Sequence, residues 1–175
     1  MNAKDDTLTD TPLVLSEVPV ARSAMLIRRP VSEVFAAFVD PAVTSKFWFT
    51  RGSARLEPGV TVTWHWDMYG FSTQATTIEL ERDRLILVEW IAGESSTRIE
   101  WRFFPRPDQT TFVSITNSGI AGSADEVSQH AIASTEGFTF VLAGAKAYLE
   151  HGIELNLVAD RFPDGLANPP DAEAV

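Results

Sequence analysis

His65 and Asp67 stand two apart in VTVTWHWDMY. That spacing puts both side chains on one face of a β-strand, and an imidazole beside a carboxylate can pass a proton. Glu89 and Glu100 are single acids inside the apolar runs LILVEW and TRIEWRFF. A carboxyl turned into a dry interior has a raised pKa and suits a general acid. Arg22, Arg28 and Arg51 offer guanidinium groups for a carboxylate ligand at a pocket mouth. Each set also has a plainer reading. Alternation places His65 and Asp67 opposite the neighbouring tryptophans, on a solvated outer face. Glu89 and Glu100 can pair across strands with Arg98 or Arg102, or simply be exposed. His130 and His151 lie near the two ends of one helical stretch, about 30 Å apart at the usual rise, so they cannot share a metal ion.

The sharper signal is aromatic. Of five tryptophans, Trp48 falls in Phe47-Trp48-Phe49, Trp64 and Trp66 in TWHW, Trp90 ends LILVEW and Trp101 sits in TRIEWRFF. An indole brings a large apolar surface and one N–H that wants a partner. Trp48, Trp66, Trp90, Trp101 and Phe138 therefore either fill a core or line a pocket for an apolar ligand.

Composition narrows the function classes. The 175 residues suffice for one domain with a substantial core. With no cysteine, disulfides, thiolate metal sites and cysteine nucleophiles are excluded. A formal charge of −10 sets the overall field against nucleic acid and anionic membrane surfaces. The N-terminus MNAKDDTLTDTP has no apolar signal-peptide core, and no apolar run approaches spanning length, which makes a cytoplasmic protein the expectation. No Gly-rich phosphate loop, zinc spacing or nucleophile elbow occurs, and no cofactor is implied.

The elements that must position these residues are legible in outline. Residues 1–15 read as a flexible arm, 16–155 as one domain and 156–175 as a C-terminal tail. Val20–Arg29 reads as a strand. Val31, Val34, Phe35 and Phe38 make one apolar helical face. Asp40-Pro41 starts a second short helix, expected to reach Trp48. Four or five alternating strands follow, with turns at Gly70, Asp83, Gly93-Glu94 and Pro107-Asp108, an antiparallel meander. In the first, Val60, Val62, Trp64, Trp66 and Met68 share a face. In LILVEW the inward parity is open between Ile86, Val88, Trp90 and Leu85, Leu87, Glu89. A capping box at Ser123 to Glu126 opens a long helix with Phe138, Val141, Leu142, Ala145 and Leu149 on its apolar stripe, and Gly152 stops it. Gly137 and Gly144 inside that helix imply a close backbone approach or a bend. The sum is an α+β domain in which a curved antiparallel sheet wraps around the terminal helix.

This order of motifs resembles the START-like (SRPBCC) superfamily, and within it the branch named after the activator of the heat-shock chaperone ATPase, grouped with polyketide cyclase-like proteins. PVSEVFAAFVDPAVTSKFW, VTVTWHW, RLILVEW, TTFVSITNSG and GFTFVLAGAKAYLE carry the resemblance, from about Val20 to Gly152. It implies a helix-grip fold with a hydrophobic cavity between sheet and helix. Asn117 stands where many relatives have histidine, and Phe138 where many have tryptophan.

The expected function is binding of a small hydrophobic, aromatic or lipid-like molecule, with Trp48, Trp66, Trp90, Trp101, Asn117, Phe138 and Leu142 as ligand-binding residues. The alternatives are a cyclase/aromatase or hydrolase using cavity carboxylates, and a chaperone-regulating interaction domain. Monomer and homodimer both stay open. The expected entrance lies between Phe47–Phe49, Arg51 and the Asn117–Gly122 loop, because loops over a rigid scaffold commonly carry function.

Overall fold

Three short helices and one long one accompany a single curved sheet in the computed structural model, which describes residues 15–92 and 95–166. In chain order the elements are β1 (Ala21–Ile27), α1 (Val31–Val39), α2 (Pro41–Thr44), β2 (Arg51–Gly52), β3 (Thr61–Trp66), β4 (Phe71–Glu81), β5 (Leu85–Ala92), β6 (Ser95–Pro105), β7 (Thr111–Ser118), α3 (Ala124–His151) and α4 (Leu157–Asp160). The sheet runs β1-β7-β6-β5-β4-β3-β2, with every neighbouring pair antiparallel. This is the expected helix-grip arrangement. Residues 1–14 of the expected arm, the Gly93-Glu94 turn and residues 167–175 lie outside the described residues.

Local chemistry explains the boundaries. The Asp40 carboxylate accepts from Ala42 N at 3.0 Å, with Pro41 at the first helical position. Thr44 closes α2 instead of letting it run to Trp48: its hydroxyl donates to Ala37 O at 2.6 Å, fastening α2 to α1. β3 also stops early. Asp67–Tyr69 form a 3-10 turn, and Gly70 leaves it with φ 62°, a left-handed conformation natural to glycine. Val62, Trp64 and Trp66 are buried as the alternation requires, while Val60 and Met68 beyond the strand are exposed. In β5 the open parity is decided for Ile86 and Val88, both wholly buried, with Trp90 on the same side. Both sets of polar expectations for the sheet follow from this parity: Glu89, Glu100 and His65 take the outer face.

α3 begins at the capping box, in which Glu126 accepts from Ser123 N at 2.8 Å and Glu126 N donates to Ser123 Oγ. It is tied along the edge strand β1. Lys146 Nζ donates to Leu26 O at 2.9 Å, Arg28 N donates to Glu150 Oε1 at 2.7 Å, and Arg29 Nε donates to Leu149 O at 2.6 Å. These contacts satisfy edge-strand and helix-end groups that would otherwise need water. Burial raises the pKa of Glu150, but the Lys146 ammonium and the Arg28 N–H outweigh it and hold the carboxyl below its ordinary value. Further along, Phe138, Val141, Leu142 and Ala145 are buried against the sheet. Of the two glycines, Gly144 shows the expected close approach: a Cβ there would sit 3.2 Å from Phe47 O. Gly137 has open space beside it.

The segment after α3 departs from the expected tail. Leu157–Asp160 form a helical turn, and Tyr69 Oη donates a short hydrogen bond to Val158 O. Arg161 Nε donates to Glu136 Oε1 at 2.8 Å, and the Phe162 ring meets Tyr69 edge-on at 6.0 Å. Chain from 157 to 162 is therefore packed on the domain. No described helix is long and apolar enough to cross a membrane.

Candidate functional site

All five tryptophans belong to one aromatic cluster, and Trp48 is its hub. Its ring centroid lies 5.0 Å from Trp64, 6.1 Å from Trp66, and 5.9 Å from both Trp90 and Trp101. Phe138 of α3 closes the group, 6.1 Å from Trp48 and 6.4 Å from Trp90 and Trp101. Tilted and edge-on pairs of this kind contribute about 0.5–1.5 kcal/mol each beyond their buried area.

The cluster fills the grip at one end only. At the other, where α3 draws away from the Phe47 contact at Gly144, a cavity of about 460 Å³ remains. Trp90 of β5, Thr97 of β6 and Asn117 of β7 form its sheet side, and Trp48 its flank. His130, Ser134, Gly137, Phe138 and Val141 form the helix side, at roughly one-turn intervals along α3. Its outer wall comes from Tyr69 and Phe71, before and at the start of β4, and from Val158, Arg161 and Phe162.

Four of the seven expected ligand-binding residues thus line the cavity: Trp48, Trp90, Asn117 and Phe138. Trp66, Trp101 and Leu142 do not. Trp66 stacks on Trp90 at 5.7 Å and stays within the cluster. Trp101, only 1% exposed, packs against Trp48, Phe138 and Phe38. Leu142, fully buried, is one turn past Phe138, towards the end where helix and sheet are in contact. Strand parity had located the inner face correctly, but parity carries no information about depth.

Of the expected entrance, Trp48 and Asn117 line the cavity and the other residues do not. Phe47 and Phe49 are core residues, 7% and 2% exposed, and Ile120 buries the middle of the Asn117–Gly122 loop against Val127 and Ala131. Arg51 pairs with Asp67 at 3.1 Å, and Arg28 is committed to Glu150. The arginine at the mouth is Arg161. Among the lining residues that the sequence reading missed, Thr97 shares the parity of Ile99 and Trp101, and His130 and Ser134 continue the α3 face upstream of Phe138. Those signals were present in the spacing. Val158, Arg161 and Phe162 had none, since no periodicity or cap marks their segment.

The acids proposed for catalysis are elsewhere. Glu100 accepts from Arg102 Nε at 2.6 Å on the outer face, and Glu89 stands across from Arg98. His65 lies outside too, paired in register with Arg51 and Ser72. No cluster of three or more possible metal ligands occurs among the described residues.

Asn117 Oδ1 at the cavity is buried without a hydrogen-bond partner among the described residues, and so is Trp101 Nε1 in the cluster beneath. Trp101 pairs in register with Ile115, so Asn117 is its diagonal neighbour on the same inner face. An acceptor or donor left unpaired in an interior costs about 1–3 kcal/mol, which makes such atoms rare and informative. At the mouth, burial raises the Tyr69 pKa. The hydrogen bond from Arg161 lowers that of Glu136.

Residues 28–150 match the family described as Activator of Hsp90 ATPase homolog 1-like protein. The chain belongs to that family. Its membership agrees with the START-like resemblance drawn from the sequence, and solved structures share the fold. Protein SSP2350 from Staphylococcus saprophyticus is 28% identical with a TM-score of 0.66, over 78% of this chain and 95% of that one. The Aha1 dimer from Colwellia psychrerythraea is 17% identical, with a TM-score of 0.65, over 76% of this chain and 97% of that one. The di-domain ARO/CYC BexL from the BE-7585A biosynthetic pathway is 14% identical, with a TM-score of 0.67; the match covers 75% of this chain and 46% of BexL, about one of its two domains. No curated protein matches the chain in sequence. The family match ends at residue 150, so Val158, Arg161 and Phe162 supply a cavity wall from outside the matched range.

Proposed function

We propose that this protein binds a small apolar molecule in the cavity between the sheet, α3 and the 157–162 segment. The observation that carries the reading is the cavity itself: about 460 Å³, walled by Trp48, Trp90 and Phe138, with a few polar groups among them. Ligand sites typically enclose about 300–1,000 Å³, are mostly apolar, and use a small number of polar groups to fix orientation. Asn117 and Thr97 are placed to do that at the sheet side, and Trp48 and Trp90 offer flat apolar surfaces. Kinship with an aromatase/cyclase domain in fold supports a cavity-based role. A cyclase or hydrolase mechanism resting on Glu89 or Glu100 has no support, because neither carboxylate lines the cavity.

The test is binding of the neutral fluorophore phenylnaphthylamine, excited through the tryptophan cluster. One saturable site per chain with submillimolar affinity is expected. Ser134→Trp, which fills the cavity from α3, should abolish binding while leaving the far-UV spectrum intact. Unsaturable binding, or binding unaffected by the filled cavity, would leave the aromatic cluster as core and nothing more.

A further inference from the structure

The chain has 24 acidic residues against 14 basic ones, yet among the described residues no aspartate, glutamate or lysine lines the cavity. The ionisable groups that do include two nitrogen bases, His130 and Arg161, which approach from α3 and from the segment after α4. His130 makes no side-chain hydrogen bond among the described residues, so it is not consumed by a structural role there. Arg161 is only partly committed. Its Nε and Nη2 both donate to Glu136 in a side-on pair, and its Nη1 has no hydrogen bond among the described residues. A guanidinium carries five N–H donors, so three are not used by Glu136. The Phe162 ring lies 4.3 Å from the guanidinium carbon and holds the group in place. The result is an apolar, aromatic-walled interior whose mouth presents cationic and hydrogen-bond-donating nitrogen, with no carboxylate among its described lining residues.

We propose that the occupant is an apolar ring compound ending in a single anionic group, with the ring against Trp48, Trp90 and Phe138 and the anion received by Arg161 and His130. This rests on the cavity-binding reading and adds the chemical class of the ligand. Arg161 discriminates because it is already oriented: Glu136 fixes its plane from outside the cavity, and a ligand carboxylate or sulfonate meets the unused N–H groups from inside. Glu136 also competes electrostatically with that anion, so its neutralisation should strengthen anion binding.

Anilinonaphthalene sulfonate and phenylnaphthylamine share a ring system and differ by the sulfonate, so the pair isolates the anionic end. The unaltered chain should bind the sulfonate about tenfold more tightly than the neutral probe, as one charge-assisted contact provides. Arg161→Met should weaken the sulfonate about tenfold more than it weakens the neutral probe. Glu136→Gln keeps the guanidinium but frees it, and should tighten the sulfonate about threefold with no change for the neutral probe. Equal or weaker binding of the sulfonate by the unaltered chain overturns the inference while leaving the cavity reading intact. So does loss of both probes together in Arg161→Met and Glu136→Gln, which would make the ion pair a clasp and nothing else. Failure of the neutral probe to saturate overturns both readings.

Discussion

Alanine at Gly137 should stabilise the fold and alanine at Gly144 should not, although both positions lie inside α3. In a helix interior Gly→Ala is favourable by about 0.8–1.0 kcal/mol, because the unfolded chain has less freedom to lose. At Gly137 nothing lies within 4 Å of where the Cβ would stand, so Gly137→Ala should gain nearly all of that. At Gly144 the same methyl would meet Phe47 Cβ at 3.0 Å and Phe47 O at 3.2 Å. Neither atom can swing aside as a side-chain tip would, and overpacking of this kind costs about 1–3 kcal/mol. Setting the helix gain against that cost leaves Gly144→Ala between about neutral and about 2 kcal/mol less stable. The two variants should therefore differ by about 1–3 kcal/mol. Urea titrations followed by far-UV circular dichroism measure it directly, with unchanged m-values as the sign that only stability moved. Gly144→Ala equal to or more stable than Gly137→Ala would refute the claim that α3 is pressed onto Phe47 at that turn.

Other expectations follow from single contacts. Leu142→Ala should cost about 2–5 kcal/mol, since the side chain is fully buried between α3 and the sheet; a loss under about 0.5 kcal/mol, the range of surface substitutions, would mean the helix is not gripped. Tyr69→Phe removes the donor to Val158 O and should speed proteolysis and hydrogen exchange at 157–162 while exchange in β5–β7 stays the same; uniform acceleration would show that the segment is part of the global unit. Acid should destabilise the fold. Glu126, Glu136 and Glu150 all have lowered pKa values, so their stabilisation is fully present above the ordinary glutamate value of about 4.3 and is lost as pH falls through the lowered native values. Stability constant from neutral pH to well below that point would contradict those three contacts.

Much of this architecture is written in short-range chemistry, which is why the sequence discloses it. Asp40-Pro41, the Ser123–Glu126 box and Gly152 mark helix ends because each satisfies or terminates backbone groups locally. The inner faces of β3 and β6 follow from alternation. The candidate site was half legible: Trp48, Trp90, Asn117 and Phe138 line it, whereas Trp66, Trp101 and Leu142 share the right faces at the wrong depth. Depth depends on where α3 touches Phe47 and where it diverges, a property of two distant segments. Val158, Arg161 and Phe162 were invisible for a related reason. Their contacts with Tyr69 and Glu136 span 89 and 25 residues of chain, and nothing in their own neighbourhood announces them.

Division of labour along the chain gives the wall at 157–162 an evolutionary consequence. The sheet, the aromatic hub and α3 must change together, because each packs against the others. The outer wall is a short stretch attached through one tyrosine hydroxyl, one ion pair and two aromatic rings. Mutation can rewrite it without disturbing the core, so descendants of one scaffold can diverge in what they admit while their folding remains common. Grafting the corresponding stretch of a relative onto this chain would exchange the lock and keep the door.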